Sequence, residues 1–518
     1  VRAEAPDMKL VGATVPGTPA LVIGHNGHIA WGVTTTYIDS DDVFIETLAP
    51  GDDTKYLTPD GPKPFKIRKE VIKVRFGEDV TLTVRETRHG PVLPDEAPPP
   101  SAQSAVAAAP RQVMALSAPW LSDKDTTADA LFGLATAKNW DEFRASLRRY
   151  IGPLQNFVYA DTDGNIGYYV PGRIPIRKKG IGYMPAPGST GDYDWSGFIP
   201  FEKLPQAFNP PGGVIVNANS KIVGKEYPYF LSREWGDHYR AARITELLAK
   251  TDKHTLASTA AIQADVVSLM ARELLPLMSA FKPSKDTAQA ALARLAKWDG
   301  AMTLDRSEPL IFMAWLAELN RRLYADELGQ MGQRFVGLRG DVVKNILTEH
   351  KDWCDDRTTK VTESCADILG ASLDAALAFL SDRHGDDPAL WRWGDAHFAD
   401  FSHPVFRMVP GLNQLTRLRI ANSGGPHTVN KAAMNVRDKS APFADRHGPG
   451  YRGIYTFDDL DKSRFTIATG PSGNPYSRFY DNLLVAWRDL RHWTLAPLTP
   501  ADRKTAVGTL SLVPKRAR

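Results

Sequence analysis

The spacing of apolar residues changes twice along this chain, and those changes limit the fold more than any other feature. Residues 1 to 95 read as strands. There "ALVIG" and "IAWGV" flank His25-Asn26-Gly27-His28, while "KPFKIRKEVIKVRFG" and "VTLTVRETRHGPVL" alternate with period two. An Asn-Gly pair between apolar runs is a strong hairpin signal. "NFVYADTDGNIGYYVPG" predicts a second hairpin, and "GVIVNANS" (213 to 220) reads as a short strand with a polar end. "DEAPPPSAQSAVAAAP" (95 to 110) reads as a Pro/Ala-rich loop, and "TADALFGLATAKNWDEFRASLRRYI" (127 to 151) has helical spacing. From about 240 to 395 helical stripes dominate, in "YRAARITELLAK", "TAQAALARLAKW", "PLIFMAWLAELNRRLY" and "CADILGASLDAALAFL". Strand-like pattern then returns in "SRFTIAT" and "NLLVAW". Strands, helices and strands in that order predict an α+β layered core with a helical insertion.

Composition excludes some classes of function. The 518 residues carry a formal charge of only +3, which argues against nucleic acid or an anionic membrane as an obligate partner. No apolar run approaches the roughly 20 residues that span a bilayer. The chain opens on Val1, and "VRAEAPDMKLVGATVPG" reads as a strand already under way. A processed piece, or a fragment beginning inside a domain, is therefore expected. The two cysteines, Cys354 and Cys365, flank a polar loop; a disulfide there would suit an oxidising compartment, and the alternative is two unpaired thiols at helix ends.

Several residue groups could carry chemistry. His25 and His28 straddle a tight turn, with no further Cys or His nearby to complete a zinc set, so they are expected to flank the turn as hydrogen-bonding pillars. Asp39, Asp41 and Asp42 crowd a short segment, and repelling carboxylates want a cation or donors nearby. Calcium suits such oxygen ligands; a solvated acidic turn is the alternative. Asn217 and Asn219 fall on one face of the 213–220 segment, where an amide could serve an oxyanion hole or cap a turn. Arg240 falls at a helix start, an odd place for a surface cation, while Arg243 reads as a solvated helix arginine. No Gly-x-Ser-x-Gly elbow, His-Glu-x-x-His or phosphate loop occurs.

Taken in order, "LVGATVPGTPALVIGHNGHIAWGVTTTYIDSDDVF", "NFVYADTDGNIGY", "PAPGSTGDYDWSGFIPFEKLP", "VIVNANS", "GDHYRAARI" and "GPSGNPYSRFYDN" resemble the large (β) chain of the penicillin acylase family, just past its nucleophile. The resemblance implies an N-terminal-nucleophile hydrolase with a four-layer αββα core. Its parts would be 1–240 as the strand-rich first part of the core, 241–395 as a helical region, and 396–518 as a return to the core. It implies a linear amide hydrolase made as a self-cleaving precursor, whose partner is the small (α) chain and whose place is the periplasm or outside the cell. The resemblance further implies an N-terminal serine as nucleophile, with its own α-amine acting, usually through water, as general base.

Residue by residue, the resemblance implies that the Thr35 backbone N–H and the Asn219 side chain form the oxyanion hole. Arg240 would stand beside the nucleophile, orienting the site and biasing the α-amine toward its neutral form. Val22, Ile23, Val33 and Gln155 would line the acyl pocket. Asp39 and Asp42 would hold a structural calcium through carboxylates, with Asp41 and Gly182 giving backbone carbonyls. Val1 has neither hydroxyl nor thiol and cannot be the nucleophile, so this chain alone is expected to be inactive. Penicillins, cephalosporins and acyl-homoserine lactones are substrates of enzymes with this one constellation. The competing expectation is a degenerate member acting as a calcium-stabilised binding or structural protein.

Overall fold

The computed structural model describes residues 1–6, 8–94, 111–335, 337–506, 508, 510 and 511, so the Pro/Ala-rich stretch expected at 95–110 lies outside the described residues. The chain divides into two compact units, Val1–Gly236 and Asp237–Arg518.

The first unit is built on hairpins. Its larger sheet is antiparallel, in the order Arg2–Ala5, Met8–Ala13, Ile23–His25, Ile29–Thr35, Gln155–Asp161, Ile166–Tyr169, Gln206–Phe208. Both hairpins expected from sequence are present. Val1 is tied into this sheet, since its amine donates to Gly12 O at 2.8 Å and its carbonyl accepts from Gly12 N. A second sheet joins Gln112–Ser117, Asp42–Ala49, Asp52–Thr58 and Gly61–Pro64, with Ala186–Pro187 parallel to Asp42–Ala49. Lys66–Ile72 pairs with Val80–Glu86, as their alternation predicts.

Side chains alternate across a strand, so register assigns each residue a face. Trp31, Val33, Phe157 and Tyr159 share one face of the larger sheet. It packs against the helices Thr127–Leu134 and Trp140–Leu147 through Leu134, Phe143 and Leu147. Both fall in the 127–151 stretch of helical spacing. The chain breaks between them because Asn139 caps the second, its side chain accepting from Glu142 N at 3.0 Å.

Asn26 pins the turn at 25–28. Buried Asn26 donates from Nδ2 to Leu134 O (3.0 Å) and Ala137 O (2.6 Å), and its Oδ1 accepts from His28 N and Ile29 N. Gly27 takes the left-handed conformation the turn requires, with φ +91°. His25 is fully buried and His28 is exposed, so the two do not act as a pair.

The second unit holds both the helices and the C-terminal strands. The long helices Glu308–Leu328 and Cys365–His384 bury Trp315, Leu319, Leu373 and Leu380 in its core. Cys354 and Cys365 form a disulfide across the polar loop. "NLLVAW", read as a strand, instead gives the helix Leu484–Arg488. A run of five apolar residues suits either element, and here Leu484 and Trp487, one helical turn apart, are buried while Val485 is exposed. Arg243, read as solvated, is buried and bonds Asp265 through two nitrogens at 3.0 and 2.7 Å. No helix among the described residues is long and apolar enough to cross a membrane.

One buried histidine in this unit makes stability depend on pH. His397 has no solvent exposure, stacks on Trp393 at 4.3 Å, and engages Phe443 O through Nδ1 at 2.6 Å. Its Nε2 is buried with no hydrogen-bond partner among the described residues. Burial therefore lowers its pKa to about 4. The unfolded chain takes up a proton below about 6.5 and the folded one does not. Stability is thus fully present above that pH and falls as pH drops toward 4, by roughly 3 kcal/mol in all. We expect His397→Asn to flatten this part of the acid limb in denaturant midpoints measured between about pH 7 and pH 4.5. Parallel decline in variant and parent would contradict it.

Candidate active site

Thr35 ends the strand Ile29–Thr35 and is exposed there. Its opposite number in the neighbouring strand is Gln155, and Thr34 faces Asn156. Thr34, Asn156 and Tyr168 lie on the sheet face opposite Val33 and Phe157. They form a hydrogen-bonded set. Asn156 Nδ2 donates to Thr34 Oγ1 (3.1 Å) and Thr35 O (3.0 Å), and the Tyr168 hydroxyl donates to Asn156 Oδ1. Burial raises the Tyr168 phenol, so it stays protonated and remains a donor.

The 213–220 segment meets this set from outside the sheet. It was expected as a strand but forms no ladder. Asn219 sits at φ +65°, a left-handed conformation that no strand accommodates and that asparagine tolerates better than most residues. Side-chain bonds take the place of ladder bonds. Thr34 Oγ1 donates to Asn217 Oδ1 (2.6 Å), Asn219 N donates to the same oxygen (3.2 Å), and Gly236 N donates to Asn219 O (2.9 Å). Asn217 and Asn219 therefore do not share a strand face. The outcome is that Asn219 Nδ2 reaches Thr35 O at 2.8 Å, bringing together two residues 184 positions apart.

Val33 and Gln155 lie on the helix-facing side of the sheet, both half-buried. Val22 and Ile23 lead into the next strand, with Val22 O accepting from Trp31 Nε1 at 3.1 Å. Arg240 belongs to the second unit. It is half-buried at the start of the helix Tyr239–Leu248, where Asp237 and Lys431 feel its charge. Burial first, then Arg240, holds Lys431 below the usual lysine range. Asp237 Oδ2 pairs with His427 Nδ1 at 2.7 Å.

Beyond Thr35 the chain passes through Tyr37, at φ +58°, to the acidic segment. Asp42 is buried, Asp39 is half-buried and Asp41 is exposed. The guanidinium of Arg177 lies between the first two. Its Nε donates to both Asp42 oxygens (3.1 and 2.9 Å) and its Nη2 to Asp39 Oδ1 (3.1 Å) and Asp39 O (3.4 Å). Trp195 Nε1 also donates to Asp42. Burial, opposed by Arg177 and reinforced by Asp42 and Asp41, raises Asp39 to about 6. Burial likewise raises Asp41.

Calcium takes six to eight oxygens at about 2.3–2.6 Å. The expected ligands do not fit that requirement, because a guanidinium already stands among them and a second cation there would be repelled. Gly182 adjoins the same place, and a Cβ on it would collide with Arg177 and Asp42. Among the described residues, no three His, Cys, Asp or Glu side chains converge as metal ligands. Arg177, Trp195 and Asn156 are the site residues that sequence reasoning missed. Arg177 is 135 positions from Asp42, and nothing local marks it.

A family model described as penicillin amidase matches residues 1–505. The chain belongs to the penicillin amidase family. It is 31% identical to the acyl-homoserine lactone acylase QuiP of Pseudomonas fluorescens, over 99% of this chain and 64% of that protein. It is 28% identical to the penicillin acylase 2 proenzyme of a Pseudomonas species, over 93% of this chain and 60% of that protein. Penicillin G acylase of Escherichia coli is 31% identical over 60% of this chain and 37% of its own length. The chain thus spans a little under two thirds of the length of the QuiP acylase. Among solved structures, the thermostable penicillin G acylase of Alcaligenes faecalis superposes with a TM-score of 0.75 at 22% identity, covering 100% of this chain and 94% of that one. The chain therefore has the N-terminal-nucleophile hydrolase fold, with its αββα core.

Proposed function

We propose that this chain supplies the oxyanion hole and part of the acyl pocket of a linear-amide hydrolase. The observation that carries the reading is the Asn219 carboxamide held 2.8 Å from Thr35 O at an exposed strand end. That bond fixes an amide donor beside the Thr35 backbone, whose own N–H is the proposed second donor. In the proposed reaction, a serine outside these 518 residues loses its proton to its own α-amine and attacks the amide carbonyl. Negative charge then develops on the carbonyl oxygen, and the Thr35 N–H and Asn219 Nδ2 stabilise it. The proton passes to the departing amine, and water releases the acid. Arg240 is assigned to biasing the serine's amine toward its neutral form, on the strength of its place in the family's motif order.

The acyl group is proposed to be hydrophobic, because Val22, Ile23 and Val33 are apolar and only Gln155 adds polarity. The small chain of the same precursor is the proposed partner, and an exported location agrees with the Cys354–Cys365 bridge. The test is turnover of chromogenic phenylacetyl and long-chain acyl anilides, and of acyl-homoserine lactones, by the protein expressed from the complete gene. Release of acid from at least one of them is expected. Correct self-cleavage with no turnover of any would overturn the reading.

A further inference from the structure

The acidic segment after Thr35 poses an electrostatic problem that the chain resolves with its own side chains. Asp42 is 6% exposed and Arg177 is 5% exposed, so this is a buried ion pair. Two short strands, Pro175–Arg177 and Trp195–Phe198, pair with Arg177 directly opposite Trp195. That register puts two donors side by side on one carboxylate. Asp42 then accepts from Arg177 Nε on both oxygens and from Trp195 Nε1, while Asp39 gives a carboxylate oxygen and its backbone carbonyl to Arg177 Nη2. Gly182, at φ +78°, closes the place without a side chain, and only a residue lacking Cβ leaves the guanidinium its room.

We infer that Arg177 is the built-in cation of this segment and stands where a metal ion would otherwise be needed, so that the chain holds Thr35 and Asp42 in register without calcium. Arg177 is a positioning residue here; it acts on Thr35 only through the segment 36–42. A guanidinium suits the task because its planar fork bonds a carboxylate through more than one N–H and it keeps its charge at any physiological pH. The inference concerns metal content and stability, so it stands or falls independently of which amide the protein cleaves.

The experiment uses the protein expressed from the complete gene, dialysed against millimolar calcium chloride and then freed of unbound metal. Elemental analysis is expected to find well under one calcium per molecule, and the melting temperature is expected to be the same in EDTA and in calcium. Arg177→Met removes one partner of a buried pair and is expected to lower the melting temperature by roughly 5 °C or more. Calcium should then raise the melting temperature of this variant, because the vacated place offers the Asp39 and Asp42 oxygens to a cation. Arg177→Lys, which keeps the charge, should lose less and stay insensitive to calcium. A residue that only fills space would show no such rescue. One calcium per molecule in the unaltered protein, a fall in its melting temperature in EDTA, or an Arg177→Met variant that calcium leaves unmoved would overturn the inference. Should Arg177→Met not fold, the calcium content and EDTA response of the unaltered protein decide the matter alone.

Discussion

Asn219→Ala is expected to lower kcat for amide hydrolysis by about 10²- to 10³-fold with little change in KM. The expectation rests on where the carboxamide is held. Asn219 occupies a left-handed conformation, its backbone is fixed by Asn217 Oδ1 and Gly236 N, and its Nδ2 bonds Thr35 O. A donor fixed before reaction stabilises developing charge without reorganising at that moment. Stability should change far less than rate, because Asn219 is only half-buried. Asn219→Asp tests the charge sense, since a carboxylate beside a developing oxyanion repels it. Kinetics on the protein from the complete gene, with melting temperatures as control, separate the two. An Asn219→Ala variant with parental kcat would remove Asn219 from the site.

Asn26→Ala is expected to destabilise the first unit by roughly 2–4 kcal/mol. The Asn26 side chain makes four hydrogen bonds at a buried turn, two as donor and two as acceptor. Removing it orphans the carbonyls of Leu134 and Ala137 at the end of one helix and the N–H groups of His28 and Ile29 at the start of a strand. Buried unsatisfied groups of this kind are the costly ones. Asn26→Asp should be at least as damaging, because it keeps the acceptor and turns the donor end into an oxygen facing two carbonyls. His28→Ala should stay within about 0.5 kcal/mol, as an exposed change with no such role. Denaturant unfolding checks all three. Equal effects at positions 26 and 28 would contradict the assignment of the turn to Asn26. The Asn26 variant also offers a coupling test, since the strand that begins at Ile29 ends at Thr35.

What could be read from the sequence was what is local. The hairpins at 25–28 and 161–165 are encoded in Asn-Gly and Asp-Gly dipeptides between apolar runs, and the long helices in stripes that repeat over several turns. Thr35 and Asn219 were reachable only because ordered motifs resemble a known family; spacing alone left Asn219 open as a turn cap. Where the local pattern was too short, both elements remained possible, as in "NLLVAW". Where distant partners decide, the pattern misled. The 213–220 segment looks like a strand, yet Thr34, 183 positions from Asn217, draws it into an irregular loop. Arg177, the counter-ion of Asp39 and Asp42, comes from another part of the chain, so no local pattern announces it.

The most direct measurement is a crystal structure of the protein from the complete gene with a boronic acid analogue of the acyl group bound to the nucleophile. Such an adduct carries a tetrahedral centre with an oxygen where the oxyanion forms. This oxygen is expected about 2.7–3.1 Å from both the Thr35 backbone nitrogen and Asn219 Nδ2. An adduct whose oxygen is held by other donors, with Asn219 Nδ2 directed at Thr35 O and away from that oxygen, would contradict it.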